Sequence, residues 1–209
     1  MKNITIKNIV VSMVSTNCML IINKETNETL IVDPGYEAKR ISKNIQELGC
    51  KPVAILLTHG HFDHVMAVDE LRDEYSIPVY LYEDEAKLLG DATLNHSAKY
   101  GIAYQTKADE LLSDNQKLTL ADINIEVLYT AGHTSGSCCY YLPDEEVLIS
   151  GDTLFYGTVG RTDFETSSTA AMRASIKRLL TDLPEGVQVF PGHGKATSIG
   201  HEKRYNPFA

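Results

Sequence analysis

Apolar and polar positions alternate from the first residues of the chain. Ile4 and Ile6 stand among polar neighbours, and the apolar runs 10–14 and 18–22 follow, so the chain is predicted to open with strands. A third run, Leu30 to Val32, ends at Asp33-Pro34-Gly35, a strong turn sequence. The period then changes. Ala38, Ile41, Ile45 and Leu48 fall at helical spacing, and Gly49 can take the left-handed stop. Residues 53–57 are continuously apolar, as expected of a strand buried on both faces. A helix with Val65, Val68, Leu71 and Tyr75 on one face is predicted next. A short strand at 79–82 and one or two short helices up to about Tyr100 follow it.

A similar order then recurs. Residues 123–129 alternate, and 138–142 and 147–150 flank Pro143-Asp144-Glu145-Glu146 as a hairpin. Met172, Ile176, Leu179 and Leu183 mark a helix, and 187–190 reads as another buried strand. Strands then helix, twice over, predict an α/β fold in which two sheets pack face to face with helices outside. No Gly/Ser linker or charge block interrupts the chain. The expectation is a single domain over 1–209 with two similar halves, about 1–107 and 108–209.

The balance of 19 basic against 28 acidic side chains gives a formal net charge of −9. Such a surface repels phosphate backbones and anionic lipids, which argues against nucleic-acid and membrane partners. The apolar stretch 9–22 is interrupted by Ser12, Ser15, Thr16 and Asn17 and is too polar to span a bilayer. The N-terminus has no signal-type apolar segment. Cys18, Cys50, Cys138 and Cys139 make no C-x-x-C, and a disulfide between the adjacent pair would be strained. Reduced thiols in a cytoplasmic protein are expected. Nothing in the sequence specifies an oligomeric state.

The chemistry gathers behind the predicted strands. Directly after 53–57 stands Thr58-His59-Gly60-His61-Phe62-Asp63-His64. In a shuffled chain of this composition an H-x-H-x-D-H arises at a chance of roughly 5 × 10⁻⁴, so a solvated polar loop is a poor account of it. Three later residues repeat the pattern of strand, glycine and metal-type ligand: His133 beside Gly132, Asp152 beside Gly151 and His193 beside Gly192. One sheet edge could collect them all. Five imidazoles and two carboxylates, with no ligating thiol among them, suit zinc at about 2.0–2.2 Å. Seven ligands exceed one tetrahedral zinc, and a shared carboxylate would hold two metals about 3.5–4 Å apart. His96 and His201 fall outside the pattern and are not expected to be ligands.

These four segments, T-H-G-H-F-D-H, G-H-T-S-G-S, G-D-T-L-F and P-G-H-G, resemble the metal motifs of the metallo-β-lactamase-fold superfamily, in order and across residues 58–194. The resemblance implies an αββα sandwich with a dinuclear site at one edge of the sheets. It implies that His59, His61 and His133 bind a first metal, that Asp63, His64 and His193 bind a second, and that Asp152 bridges them. His64 stands where β-lactamases of the best-known subclass carry arginine, and no cysteine replaces Asp152. His61 stands where flavodiiron oxidoreductases carry glutamate. The segment Gly160-Arg161-Thr162-Asp163 and the tail Glu202 to Asn206-Pro207 instead resemble compact glyoxalase II-like (hydroxyacylglutathione hydrolase-like) enzymes and persulfide dioxygenases. The helical C-terminal domain that supplies much of glyoxalase II's glutathione contact has no counterpart before Ala209.

The activity so implied is that of a zinc-dependent hydrolase. It would use a metal-bridging hydroxide on a small-molecule thioester such as a hydroxyacyl-thiol. Two Zn²⁺ per chain are expected, with iron an option at one or both sites. Asp63 would be both ligand and catalytic residue, and Arg161 would hold an anionic substrate. The alternative is a mononuclear iron persulfide dioxygenase using His59, His133 and Asp152. A non-catalytic metal-bound module is a third and weaker reading.

Overall fold

Residues 1–209 are described by a computed structural model, in which the first three strands follow one another directly. β1 (Ile4–Val11) pairs antiparallel with β2 (Thr16–Asn23), and β2 pairs antiparallel with β3 (Glu28–Val32). All of β2 is buried, because its alternate side chains serve two cores: Cys18, Leu20 and Ile22 on one face, Met19 and Ile21 on the other. The predicted run 10–14 is cut by the hairpin turn, which leaves Met13 and Val14 exposed. α1 (Ala38–Leu48) begins where the helical period begins, and Gly49 ends it at φ 64°. Three parallel strands, β4 (Lys51–Leu56), β5 (Val79–Tyr82) and β6 (Glu110–Leu112), complete a sheet ordered β1-β2-β3-β4-β5-β6.

The single helix predicted through Val65 and Tyr75 is two helices, α2 (Phe62–Val65) and α3 (Val68–Tyr75). The break has a visible cause. The Met66 and Ala67 N–H groups donate to the carbonyls of Gly35 (3.2 Å) and Pro34 (2.9 Å), so the turn after β3 captures the backbone there. A short helix, α4 (Ala86–Leu89), follows β5.

The second sheet takes β7 (Lys117–Leu120), β8 (Ile123–Tyr129), β9 (Cys138–Leu142), β10 (Val147–Gly151), β13 (Gln188–Pro191) and β14 (Thr197–Ser198), in the order β14-β13-β10-β9-β8-β7. A small hairpin of β11 (Leu154–Phe155) and β12 (Thr158–Val159) precedes α5 (Thr169–Asp182), and α6 (Ile199–Tyr205) closes the fold. The boundary expected at 107 falls later, between Leu112 and Lys117, because β6 still belongs to the first sheet. Asp109 is responsible: its N–H donates to the Val79 carbonyl and its carboxylate accepts the Val79 N–H, both at 2.9 Å, which draws 110–112 alongside β5.

Three apolar layers result, and they make an αββα sandwich. Ile41, Ile45, Val68 and Leu71 pack the first sheet's outer face, Met19, Leu56, Val127 and Tyr140 lie between the sheets, and Leu148, Met172, Ile176 and Leu179 pack the second sheet's outer face. Each such fully buried aliphatic side chain contributes about 1.5–3 kcal/mol. Cys138 and Cys139 point to opposite faces, one into the middle layer and one into the outer layer, and all four cysteines are free. No helix is long and apolar enough to cross a membrane. The carboxyl ends of β4, β8, β10 and β13 open on one edge of the sandwich.

Candidate metal centre

Each of the seven expected ligands lies just beyond one of those four strand ends. His59 and His61 occupy the loop after β4, and α2 carries Asp63 and His64 in its single turn. His133 lies in the loop between β8 and β9, Asp152 directly after β10, and His193 two residues after β13. Two glycines permit the approach. A Cβ on Gly192 would lie 2.3 Å from Asp152 Oδ1, and one on Gly151, whose φ is 47°, would lie 2.3 Å from Thr58 Oγ1.

The side chains form two convergent trios. The rings of His59, His61 and His133 stand nearly perpendicular to one another with centroids 4.7–4.9 Å apart, and His61 Nδ1 faces His133 Nε2 at 2.9 Å. In the second trio His64 Nε2 lies 3.4 Å from Asp63 Oδ2 and 3.3 Å from His193 Nε2. Asp152 lies between the trios. Its Oδ2 is 3.5 Å from both His133 Nε2 and His193 Nε2, and its Oδ1 is 3.5 Å from His64 Nε2.

Outward contacts fix which ring nitrogen faces inward. His133 Nδ1–H donates to the Arg161 carbonyl (2.9 Å), His193 Nδ1–H to the Ser15 carbonyl (3.3 Å), His64 Nδ1–H to Asp33 Oδ2 (3.0 Å) and His59 Nδ1–H to Thr58 Oγ1 (3.1 Å). Four Nε2 lone pairs are thereby left for the centre. Burial, with the neighbouring imidazoles adding, pushes the pKa of His59 and His61 well below the usual histidine value, so both rings are neutral ligands. Burial acts on His64 in the same direction, but Asp63, Asp152 and Asp33 outweigh it and raise its pKa to about 10. Burial also pushes Asp63 up, yet His64, with hydrogen bonds from His193 and Thr16, holds it below the usual carboxylate range.

This arrangement fits metal ions. His59 Nε2 and Asp152 Oδ1 are buried at its centre with no hydrogen-bond partner in the chain, which is costly unless a cation takes them. The donor set is nitrogen and carboxylate oxygen with no thiolate, and three buried carboxylates around His64 call for positive charge.

A family model described as the metallo-beta-lactamase superfamily matches residues 12–193, from the β1–β2 turn to the last histidine of the centre. The chain belongs to that superfamily. It is 44% identical to the probable metallo-hydrolase YqgX of Bacillus subtilis, over 87% of each chain. It is 36% identical to the hydroxyacylglutathione hydrolase GloC of Haemophilus influenzae, over 92% of each. Among solved structures, BLEG-1 B3 metallo-beta-lactamase superposes with a TM-score of 0.93 at 40% identity, covering 98% of this chain and 99% of that one. A protein solved in a di-iron-bound form, TTHA1623, gives 0.87 at 35% identity, covering 97% and 100%. One of these similar structures thus holds two irons.

Several supports around the centre are invisible in the sequence. Asp33, in the Asp-Pro-Gly turn, accepts the Thr58 N–H on Oδ1 (2.8 Å) and the Thr58 hydroxyl on Oδ2 (2.7 Å) besides facing His64. Thr16 donates its hydroxyl to Asp63 Oδ2 (2.8 Å), and Asn17 pins the His193 loop through the carbonyls of Pro191 and Gly194. A third convergent group, Asp33, His59 and His64, shares these atoms and therefore supports the centre rather than making another.

A cleft of about 440 Å³ opens from the centre between Phe62, Tyr100, Phe155 and Phe164. Arg161 stands on its exposed rim, paired with Asp163 through two bonds of 2.9 and 2.8 Å, with its guanidinium 4.6 Å from the Phe164 ring centre. The tail residues explain how that loop is held. Glu202 accepts the Gly157 N–H (2.9 Å), and Asn206 donates to the Thr158 carbonyl (3.0 Å). His201 lies apart, stacked on Tyr156. His96 belongs to no convergent group of donors, yet it lines the cleft with its ring stacked on His61 at 5.0 Å, a place its sequence context does not signal.

Proposed function

We propose that the chain is a metal-dependent thioester hydrolase that holds two zinc ions and acts on a hydroxyacyl thioester of an anionic thiol. The observation that carries this reading is the pair of convergent trios joined by Asp152. They offer donors enough for two metals, and oxygen chemistry on a single iron would use His59, His133 and Asp152 of the same set, so the substrate class is carried by the similarity to a known hydrolase. The likeness to a hydroxyacylglutathione hydrolase over nearly the whole of both chains supports the same substrate class.

His59, His61 and His133 would hold the first ion and Asp63, His64 and His193 the second, with Asp152 shared. When bound, the two ions supply a water that is deprotonated near neutral pH and a Lewis acid for the acyl oxygen. Asp63 takes the Thr16 hydroxyl on Oδ2, which fixes the carboxylate so that it would help orient the attacking water. A thiol departs as thiolate, so the mechanism requires no protonated side chain beside the sulfur. The aromatic walls of the cleft shelter the acyl group, and Arg161 at the rim meets the carboxylate of the thiol carrier.

Elemental analysis with a panel of substrates tests the reading. About two zinc ions per chain and turnover of hydroxyacyl thioesters are expected. One tightly held iron with oxygen uptake on glutathione persulfide would move the function to a dioxygenase, and faster turnover of a β-lactam would move it to a lactamase. Arg161→Ala tests the carrier contact. A charge-assisted bond contributes about 1.5–3 kcal/mol, but Asp163 competes for the guanidinium, so KM for an anionic thioester should rise about 10-fold with kcat spared. A neutral thioester should change much less. Equal effects on both substrates would mean that Arg161 only holds its loop.

A further inference from the structure

Glu85 belongs to neither trio, yet it is fully buried and lies between the two loops that supply the first. It ends the short turn 83–85 that follows β5. Its Oε1 accepts the N–H of Gly60, the residue between His59 and His61, at 2.9 Å. Its Oε2 accepts the Gly136 N–H and the Thr134 hydroxyl, both at 2.9 Å, from the loop that carries His133. The fit is close: a Cβ on Gly136 would lie 2.4 Å from the Glu85 backbone nitrogen. No basic side chain is paired with it. Burial pushes its carboxyl up to about 7, against the pull of those three donors. An apolar residue would fill this space without the cost of burying a carboxylate, so the three bonds are what the position gains from glutamate.

We propose that Glu85 is a positioning residue for the metal centre. It spans the loop of His59 and His61 and the loop of His133, and so sets the geometry of the first trio. The second trio has no contact with it: Asp63 and His64 lie on α2, and His193 is pinned by Asn17. The role rests on the metal-centre part of the function proposed above and is independent of the substrate.

The test uses the full chain, stripped with a chelator and titrated with cobalt(II) against a competing chelator, with thermal unfolding of the stripped protein as a check on folding. In a His193→Ala background, which disables the second trio, the remaining cobalt reports the first trio alone. Glu85→Gln keeps the shape but sets an amide N–H₂ against either the Gly60 N–H or the Gly136 N–H. It should weaken cobalt binding about 10–100-fold, as loss of a residue supporting metal ligands does, and alter the visible absorption of the bound cobalt. Thr134→Val removes one of the three donors and should weaken binding less. In a His61→Ala background, where the second trio is read, both variants should match their parent within about 2-fold. Unchanged affinity and spectrum in Glu85→Gln would overturn the proposal, as would equal losses at the two trios. Thioester turnover by the wild type with unaltered metal binding in the variants would sink Glu85 alone. Metal binding that depends on Glu85, with no thioester turnover, would sink the substrate reading alone.

Discussion

Asp152→Ala is expected to leave a protein that folds, retains about one metal ion or fewer and has lost about 10³-fold in kcat/KM. The carboxylate lies between the two trios: Oδ2 lies 3.5 Å from His133 Nε2 and from His193 Nε2, and Oδ1 lies 3.5 Å from His64 Nε2. Removing it takes one negative charge and two donor atoms from a space already crowded with imidazoles, so both ions lose an anionic ligand together. Metal ions at such sites contribute several kcal/mol of transition-state stabilisation, and about 4 kcal/mol corresponds to three orders of magnitude in rate. Elemental analysis and thioester kinetics on one preparation check both halves of the expectation. His201→Ala, outside the cleft, should retain the metal content and rate of the parent. An Asp152→Ala protein with two tightly bound ions would show that the carboxylate is not shared.

The residues of the trios were readable because their signal is local. His59, His61, His133 and His193 each stand beside a glycine a few residues beyond an apolar run, and Asp63 and His64 complete the first of those segments, so strand end and metal-type side chains are close in the chain. The supports lack that property. Asp33 serves Thr58 and His64 from 25 and 31 positions away, and Glu85 serves Gly136 from 51. Asp33 in particular reads as a turn former, which its φ of 48° also makes it, and nothing nearby shows that its carboxylate is buried. The same limit applies to the shortest strands. β6 and β7 have three and four residues, and β6 has only Leu112 buried, so their pairing is set by partners in space and not by a pattern of their own. Broken periodicity is harder still: Val65, Val68 and Leu71 do fall on one face, and only the carbonyls of Pro34 and Gly35 show why one helix becomes two.

Asp33→Asn should separate the second metal from the first. Asn tolerates the positive φ at this position, so the backbone of the turn is preserved and the change is confined to one oxygen. The wild-type carboxylate accepts on both oxygens, and every group around it donates: the Thr58 N–H, the Thr58 hydroxyl and His64 Nδ1–H. An amide cannot accept on both sides. If its N–H₂ faces His64, the ring must accept on Nδ1 and carry its proton on Nε2, the atom that points at Asp63, His193 and Asp152. If the amide flips, two N–H donors meet at Thr58 in a buried site, which costs about 1–3 kcal/mol. Either way, affinity at the second trio should fall about 10–100-fold, the usual cost of losing the partner that orients a histidine ligand. The first trio should lose much less, since His61 and His133 have no contact with Asp33. Competition titration of the stripped protein, with the number of ions counted at each step, resolves the two sites. Two ions held as tightly as in the parent would mean that His64 keeps its tautomer without help from Asp33.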